Sequence, residues 1–193
     1  MTIFLILLPY GAFAGLMLVT SAAVSLFASA AICLAVITFD VARGRSIKML
    51  GAGSVIVFAG IGAYLELVDP TLSSSAVKLA TDAGVLAISL FSLVIRKPFV
   101  LQYALEVVDA ETAKLPGFMK ANYIITWAWT AAFVAMMIAN VLMIYVPGLP
   151  LWSGLLIAFA ARNSAVYFTA WYPQYRRTKY GASAPAGDAL AGS

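Results

Sequence analysis

The sequence predicts an all-α fold, a polytopic membrane helix bundle of six transmembrane helices with both termini in the cytoplasm. Of its 193 residues, 63% are hydrophobic and only 10% are charged, and its mean hydropathy is +0.97. A soluble domain has about a quarter of its residues charged. Ten of the 12 Lys and Arg residues fall in three short polar stretches, 40–48, 96–120 and 176–179. Short basic loops between long apolar runs are typical of a polytopic membrane protein.

The apolar runs define the spans, because about 20 apolar residues are needed to cross the hydrocarbon core of a bilayer. Residues 1–39 contain no charged side chain, which is too long for one span and suits two with a turn near Thr20-Ser21. The remaining runs end at prolines or basic residues. The predicted spans cover about residues 3–20, 22–39, 49–68, 76–95, 121–146 and 151–172. The transmembrane domain is therefore residues 1–178, and the Ala- and Gly-rich tail 179–193 is predicted to be disordered.

The orientation follows from the three basic stretches, because Lys and Arg are retained on the cytoplasmic side. With six spans these stretches share one side with both termini, which predicts an N-in, C-in topology. The opposite loops, near Ser21, 69–75 and 147–150, contain no Lys or Arg. A signal peptide ending near Ala23 is the alternative for the first span. It lacks the basic n-region of such a peptide, and its removal would spoil the charge alternation.

The stretch between the fourth and fifth spans predicts a short amphipathic helix on the inner membrane surface. It follows Arg96, Lys97 and a proline that suits a first helical turn. Apolar residues alternate there with a polar stripe that includes Gln102 and Glu106. An acidic stripe is unusual against an anionic leaflet, so these side chains are alternatively expected to face Arg96, Lys97 or the basic tail.

Arg162 is the strongest candidate for a functional-site residue, and Asn163 follows it directly. It lies about 16 Å into the sixth span at 1.5 Å per residue, close to the middle of the membrane. An ionisable residue at that depth is a functional hypothesis by default. The alternative is a shifted span in which Arg162 snorkels toward the inner headgroups.

Asp82 in the fourth span is the natural counter-charge for Arg162. Together with Glu66 and Lys78 it predicts a polar pocket that opens outward. Alternatively Lys78 and Asp82 form a local pair four residues apart, or Glu66 and Lys78 are interfacial and only Asp82 meets Arg162. Asn140 in the fifth span is one of several polar groups there that are expected to bond neighbouring helices.

Several function classes are excluded or disfavoured by composition. The chain has no histidine and a single cysteine, Cys33, inside an apolar run, so the usual zinc and haem sites and an internal disulfide are excluded. No phosphate loop, dinucleotide fingerprint or nucleophile elbow is present. We therefore expect no metal, cofactor or catalytic residue. The net charge of +4 is assigned to membrane orientation and anionic lipid headgroups, and not to nucleic acid.

The pair Gly11 and Gly15 forms a GxxxG pattern in the first span, which permits close helix packing. The pattern does not distinguish a partner helix of the same chain from one in a second copy, so a homodimer is one expectation.

Short signatures spread over about residues 8–177 resemble the intracellular septation protein A family, small polytopic inner-membrane proteins of Gram-negative bacteria. They are Leu8-Pro9, Ser46-Ile47-Lys48-Met49, Val94-Ile95-Arg96-Lys97-Pro98-Phe99, Leu115-Pro116, Lys120-Ala121-Asn122, and Ala139-Asn140 before Tyr145. The resemblance implies a multi-pass protein of the bacterial inner membrane that supports envelope integrity, division or membrane homeostasis through envelope or division proteins, with no catalytic residues. Residues 101–113, the Arg162-Asn163 pair and the tail depart from the family pattern.

Two other functions are compatible with the sequence. The first is a small transporter or channel with a polar site around Asp82 and Arg162. The second, more weakly supported, is an intramembrane enzyme that modifies a lipid. Neutralising Asp82 and Arg162 singly and together separates a transport site from a structural ion pair.

Overall fold

The structure, a computed structural model, describes residues 2–146, 148–149 and 151–180. Every regular element within these ranges is an α-helix, which confirms the all-α prediction. The eight described helices are α1 (Thr2–Leu16), α2 (Ala22–Ala42), α3 (Met49–Leu67), α4 (Ser74–Val94), α5 (Phe99–Ala104), α6 (Ala110–Lys114), α7 (Pro116–Tyr145) and α8 (Leu151–Tyr180). The predicted disordered tail falls mainly on residues 181–193, which lie outside the described residues.

Four of the described helices, α2, α3, α4 and α7, are long and apolar enough to cross a membrane. The two terminal helices are different. The 15 residues of α1 extend about 22 Å at 1.5 Å per residue, which is less than the roughly 30 Å of a hydrocarbon core. The 30 residues of α8 are long enough, but Arg162, Asn163 and Ser164 interrupt its apolar run.

The long helices pack mainly against their neighbours in chain order. The contacts run from α1 to α2, α3, α4, α7 and α8, so that α1 and α8 lie at the two ends of the series. The short helix α5 contacts α3, α4 and α7. Apart from the segment between α4 and α7, which contains α5 and α6, the connections between the long helices are short, and short connections favour antiparallel neighbours.

Two apolar clusters hold this arrangement together. The first lies between α1, α2, α3 and α4 around Phe58, which is fully buried and packs against the rings of Tyr10 and Phe13. The second joins α3, α4, α5 and α7 through Leu50, Val85, Phe99, Val100 and Ile125. Because the second cluster includes α5, the segment after α4 is packed into the bundle and does not only lie on its surface.

Helices α3 and α4 approach each other closely at two glycines. A Cβ atom on Gly53 would lie 2.6 Å from Ile88, and one on Gly84 would lie 2.6 Å from Val57. Each glycine therefore admits a β-branched side chain of the other helix, and an alanine at either position would force that side chain or the helix itself to move.

Helices α2 and α4 end in the same hydrogen-bonded cap, although only one of them has the expected glycine. Gly44 (φ 72°) and Arg96 (φ 58°) both adopt the left-handed conformation. In each cap the next residue donates its N–H back to the helix, from Arg45 to the Asp40 carbonyl and from Lys97 to the Ser92 carbonyl. This is the Schellman geometry, which glycine adopts without the strain that a Cβ atom introduces.

The predicted amphipathic helix after Arg96 is wrong in one respect, because two short helices replace a single one. The break covers residues 105–109. Asp109 causes the restart, since its carboxylate accepts the Thr112 N–H at 2.6 Å and caps α6. A side chain that bonds its own backbone in this way starts a new helix in preference to continuing an old one.

Candidate functional site

A network of four charged side chains lies where the first two basic stretches meet. We call Asp40, Arg45, Lys48 and Glu106 the basic-end network. The Lys48 ammonium lies 2.5 Å from Asp40 Oδ2 and 3.0 Å from Glu106 Oε1. The Arg45 guanidinium lies 3.2 Å from Asp40 Oδ1. Two cations thus meet two anions, and Lys48 at their centre is only 5% exposed.

The end of α2 brings Asp40 and Arg45 together. Asp40 lies in the last turn of the helix, and the left-handed Gly44 reverses the chain immediately afterwards. The Arg45 N–H then donates to the Asp40 carbonyl at 3.0 Å, so its side chain returns along the helix toward the Asp40 carboxylate. Lys48 precedes the first residue of α3, which places its ammonium against the same carboxylate.

The segment with α5 completes the network from the other side. Phe99 and Val100 are buried in the second apolar cluster, which fixes α5 against α3 and α4. Gln102 Oε1 accepts the Met49 N–H at 2.7 Å, an otherwise unpaired donor at the start of α3. Glu106 follows one turn later and contacts Lys48, and it forms no ion pair with Arg96 or Lys97.

The Glu106 carboxylate has fewer hydrogen bonds than the Asp40 carboxylate. Both of its carboxylate oxygens are buried, and neither accepts a hydrogen bond from any described residue. Its contact with Lys48 is close but poorly directed for a hydrogen bond, so it is an electrostatic contact only. Asp40 in contrast accepts directed bonds from both Lys48 and Arg45.

A small cavity of about 40 Å³ borders the network. Its lining includes Tyr10, Asp40, Lys48, Ser54 and Tyr103. Tyr10 and Ser54 hydrogen-bond each other across the boundary of α1 and α3. Burial raises the pKa of the Tyr103 hydroxyl above its ordinary value, so this side chain is neutral. The cavity has room for a few water molecules, because one needs about 10–15 Å³.

The predicted intramembrane cluster is brought together only in part. Asp82 on α4 accepts a hydrogen bond of 2.5 Å from the Asn140 amide on α7. Lys78 lies one turn earlier on α4 and forms no ion pair with Asp82 within 4 Å in the described chain. Glu66 is exposed at the end of α3. The structure therefore links Asp82 to an amide, and the outward pocket of four charges is not formed within the described chain.

A second polar contact extends the interface of α4 and α7. Ser89 and Thr130 share a buried hydrogen bond of 2.7 Å between their hydroxyls. We call Asp82, Ser89, Thr130 and Asn140 the α4–α7 polar seam. Its partners are all neutral except Asp82, so it holds one charge where the basic-end network holds four.

Arg162 lies apart from both groups. It is half-buried on α8, and no described residue forms an ion pair or a hydrogen bond with its guanidinium. The predicted pair of Arg162 and Asp82 is therefore not present in the described chain. Asn163 is exposed and donates its amide to the Phe159 carbonyl of its own helix at 2.7 Å.

The remaining predicted residues lie on the surface of the described chain. Arg96 and Lys97 are exposed, and Arg96 is the left-handed residue that ends α4. No described atom outside α1 lies within 4 Å of a Cβ position built on Gly11 or Gly15. Neither glycine is therefore a point of close approach to another described helix, and the close packing lies at Gly53 and Gly84.

Sequence reasoning missed Asp40 and Lys48 as site residues. Two signals pointed to them. Asp40 is the single acidic residue in the first basic stretch, and Lys48 begins an apolar helix with no other charge before Glu66. The third partner could not be identified from the sequence, because Glu106 lies 58 positions after Lys48.

The described residues contain no group of three His, Cys, Asp or Glu side chains that could hold a metal ion. Comparison with known protein families, with curated proteins and with solved structures finds no match to this chain.

Proposed function

We propose that this chain is a six-span protein of the bacterial inner membrane, with both termini in the cytoplasm, and that it supports the cell envelope, division or membrane homeostasis without catalysis. Four apolar helices support the membrane assignment. In this proposal α1 and α8 supply the other two spans. The charge-free turn after α1 extends the apolar segment toward Ser21, and α8 is about 45 Å long at 1.5 Å per residue.

The observation that carries a structural role is the charge balance of the basic-end network. Lys48 contacts two carboxylates, and Asp40 is bonded to two cations. Charges that neutralise one another leave little net charge for a substrate, and buried networks of this kind hold elements in one arrangement. Here they join the end of α2, the start of α3 and the segment after α5. A rigid, charge-balanced cytoplasmic end fits a protein that acts through partners such as envelope or division proteins.

Reporter fusions test the topology. Fusions after Arg45, Leu105 and Tyr180 are expected to report the cytoplasm, and fusions after Pro70 and Gly148 the opposite side. A non-cytoplasmic signal at Tyr180, on the same side as Gly148, would remove the sixth span and overturn this proposal.

Deletion and complementation test the role. Loss of the chain from its native cell is expected to cause a defect in division or envelope permeability. The Asp82→Asn variant is expected to rescue that defect fully, because the proposed role does not use the seam carboxylate. A variant of the network, Lys48→Met, is expected not to rescue. Rescue by Lys48→Met together with failure of Asp82→Asn would reverse the assignment.

A small transporter or channel is the second candidate, and one observation favours it. Asp82 lies within an apolar helix, has a single hydrogen-bond partner and has no cation within 4 Å in the described chain. Ionisable groups in such positions are common in ion and proton paths. Purified protein in liposomes with a pH-sensitive dye inside tests this. Proton or cation flux that disappears in Asp82→Asn supports transport, and equal flux in empty liposomes rejects it.

A further inference from the structure

Helix α8 has one covered face and one exposed face. Its covered face packs on α7, where Gly154 lies against Met143 and the Trp129 indole donates to Thr169 at 2.9 Å. Ala165, one turn before Thr169, is only 3% exposed. Since α8 is the last helix of the series, the opposite face has no described helix of this chain as a main partner.

The opposite face has the spacing of a helix–helix interface. Six of the exposed residues of α8 follow one another at intervals of four and three positions and form one stripe. They are Leu156, Ala160, Asn163, Tyr167, Ala170 and Gln174. A repeat that averages 3.5 residues keeps one stripe of a helix facing a partner helix over several turns. We call this set the exposed face of α8.

Asn163 makes this face unsuitable for lipid. It lies about 18 Å from the start of α8 at 1.5 Å per residue, near the middle of a bilayer of about 30 Å. Its amide donates to the Phe159 carbonyl, while its side-chain oxygen accepts no hydrogen bond from any described residue. Lipid chains supply no donor, so a protein partner that donates to this oxygen is favoured at that depth.

We infer that a second copy of this chain covers the exposed face of α8, so that the protein is a homodimer in which α8 pairs with α8. Copies inserted in the same direction are related by a two-fold axis along the membrane normal, and residues near such an axis meet their own counterparts. An amide carries both donors and an acceptor, so two Asn163 side chains satisfy each other. A single Asn in an apolar helix seam also fixes the register of a pair.

The other exposed candidate is the face of α1 with Gly11 and Gly15. Its glycines carry no polar side chain, so lipid covers that face without leaving a hydrogen-bonding group unpaired. The exposed face of α8 contains such a group, which is why we assign the dimer contact to α8. This inference depends on α8 crossing the membrane, as in the proposed function.

Cysteine cross-linking in native membranes tests the contact. The only cysteine of the chain, Cys33, is 2% exposed, and Cys33→Ser supplies the background. Oxidation is expected to give dimers of Ala160→Cys and Tyr167→Cys, and none of Ala165→Cys, which faces α7. If Gly15→Cys gives dimers and Ala160→Cys and Tyr167→Cys do not, the dimer contact lies on α1 and the inference is wrong. Equal dimer yields at Ala160 and Ala165, or no dimer at any position, would also overturn the inference.

Energy transfer between labelled copies in liposomes tests the amide itself. Asn163→Leu is expected to weaken dimerisation about 3- to 30-fold, the range measured for hydrogen bonds between membrane helices. Asn163→Gln is expected to retain most of it. The control Ser164→Leu changes the next residue and is expected to have no effect. An unchanged dimer in Asn163→Leu would contradict the inference.

The topology fusions separate the two possible failures. If α8 does not cross the membrane, the signals at Gly148 and Tyr180 report the same side, and the proposed function fails together with the dimer. If those signals report opposite sides and no dimer forms, only the dimer inference fails.

Discussion

Asp40 and Asp82 are aspartates at the edge and in the interior of the same helix bundle, and their carboxylates have different partners. Asp40 is 8% exposed and bonds two cations, Arg45 and Lys48. Asp82 bonds one amide, that of Asn140. At the edge, the basic loop between α2 and α3 brings two cations to the carboxylate. In the contact between α4 and α7 the side chain of α7 that reaches Asp82 is the neutral amide of Asn140.

The difference implies opposite sensitivities to loss of charge. In the basic-end network each charge depends on another, and removing one leaves its partners buried and unpaired. In the α4–α7 polar seam the carboxylate has no ion partner within 4 Å in the described chain, so its charge can be removed without exposing another. We therefore expect loss of a charge in the basic-end network to lower the stability of the protein. Loss of the charge in the α4–α7 polar seam is expected to change activity, if the activity uses that charge, and to change stability little.

The largest effect is expected for Lys48→Met. This change leaves the carboxylates of Asp40 and Glu106 without their shared cation, and loss of one partner from a buried ion pair costs about 3–5 kcal/mol. Equilibrium unfolding in mixed micelles measures the loss. Lys97→Met, an exposed lysine on the same side, is the control and is expected to change the free energy of unfolding by less than about 0.5 kcal/mol. Equal effects in the two variants would mean that the network adds no stability.

The same substitution at the two aspartates tests the comparison directly. Asp40→Asn is expected to lower the free energy of unfolding by about 1.5–3 kcal/mol, the contribution of hydrogen bonds to a charged group. Asp82→Asn is expected to change it by less than about 1 kcal/mol, because the new amide still accepts the Asn140 bond. The two variants are compared by the same unfolding measurement. A larger loss at Asp82 would show that the seam, and not the edge, holds the bundle together.

A smaller effect is expected where the backbone at the basic end is strained. Arg96 adopts a left-handed conformation that glycine adopts freely, so Arg96→Gly is expected to stabilise the protein by about 0.5–1 kcal/mol. Gly44→Ala, at the equivalent position after α2, is the opposite change and is expected to destabilise by about 1–2 kcal/mol. Thermal unfolding of the two variants measures both. Destabilisation by Arg96→Gly would indicate that the arginine side chain makes an important contact.

The smallest effect is a change in titration at Asp109, which lies at the edge but outside the network. Hydrogen bonds from the Thr112 N–H and hydroxyl lower the pKa of its carboxyl below the ordinary value. A lowered pKa in the folded protein means that the α6 cap stabilises above the ordinary pKa and is lost as the pH falls through the lower one. An NMR titration measures the midpoint. Thr112→Ala keeps the backbone donor, removes the hydroxyl donor and is expected to move the midpoint part of the way back.

Much of the fold was predictable because apolar periodicity and charge placement are local properties. The positions of α2, α3 and α4 follow from runs of apolar residues that end at charged residues or proline, and Ser21 and Ser73 begin two of these helices with ordinary caps. Part of the site was predictable too, since Asp82 and Asn140 were singled out as polar residues inside spans. The expected Asp82–Arg162 pair is not formed within the described chain, because equal depth on two helices does not make the helices neighbours: α4 packs on α7, and α8 lies beyond it.

The sequence by itself determined that this protein is built of apolar helices and that ten of its 12 cations lie in three short stretches, because both facts depend on residue type and spacing alone. Only the tertiary structure decided which charges meet. Lys48 and Glu106 are far apart in the chain, and the packing of Phe99 and Val100 against α3 and α4 brings them together. Contacts of this kind arise from how helices pack, and the sequence of one helix carries no record of the face that its partner presents.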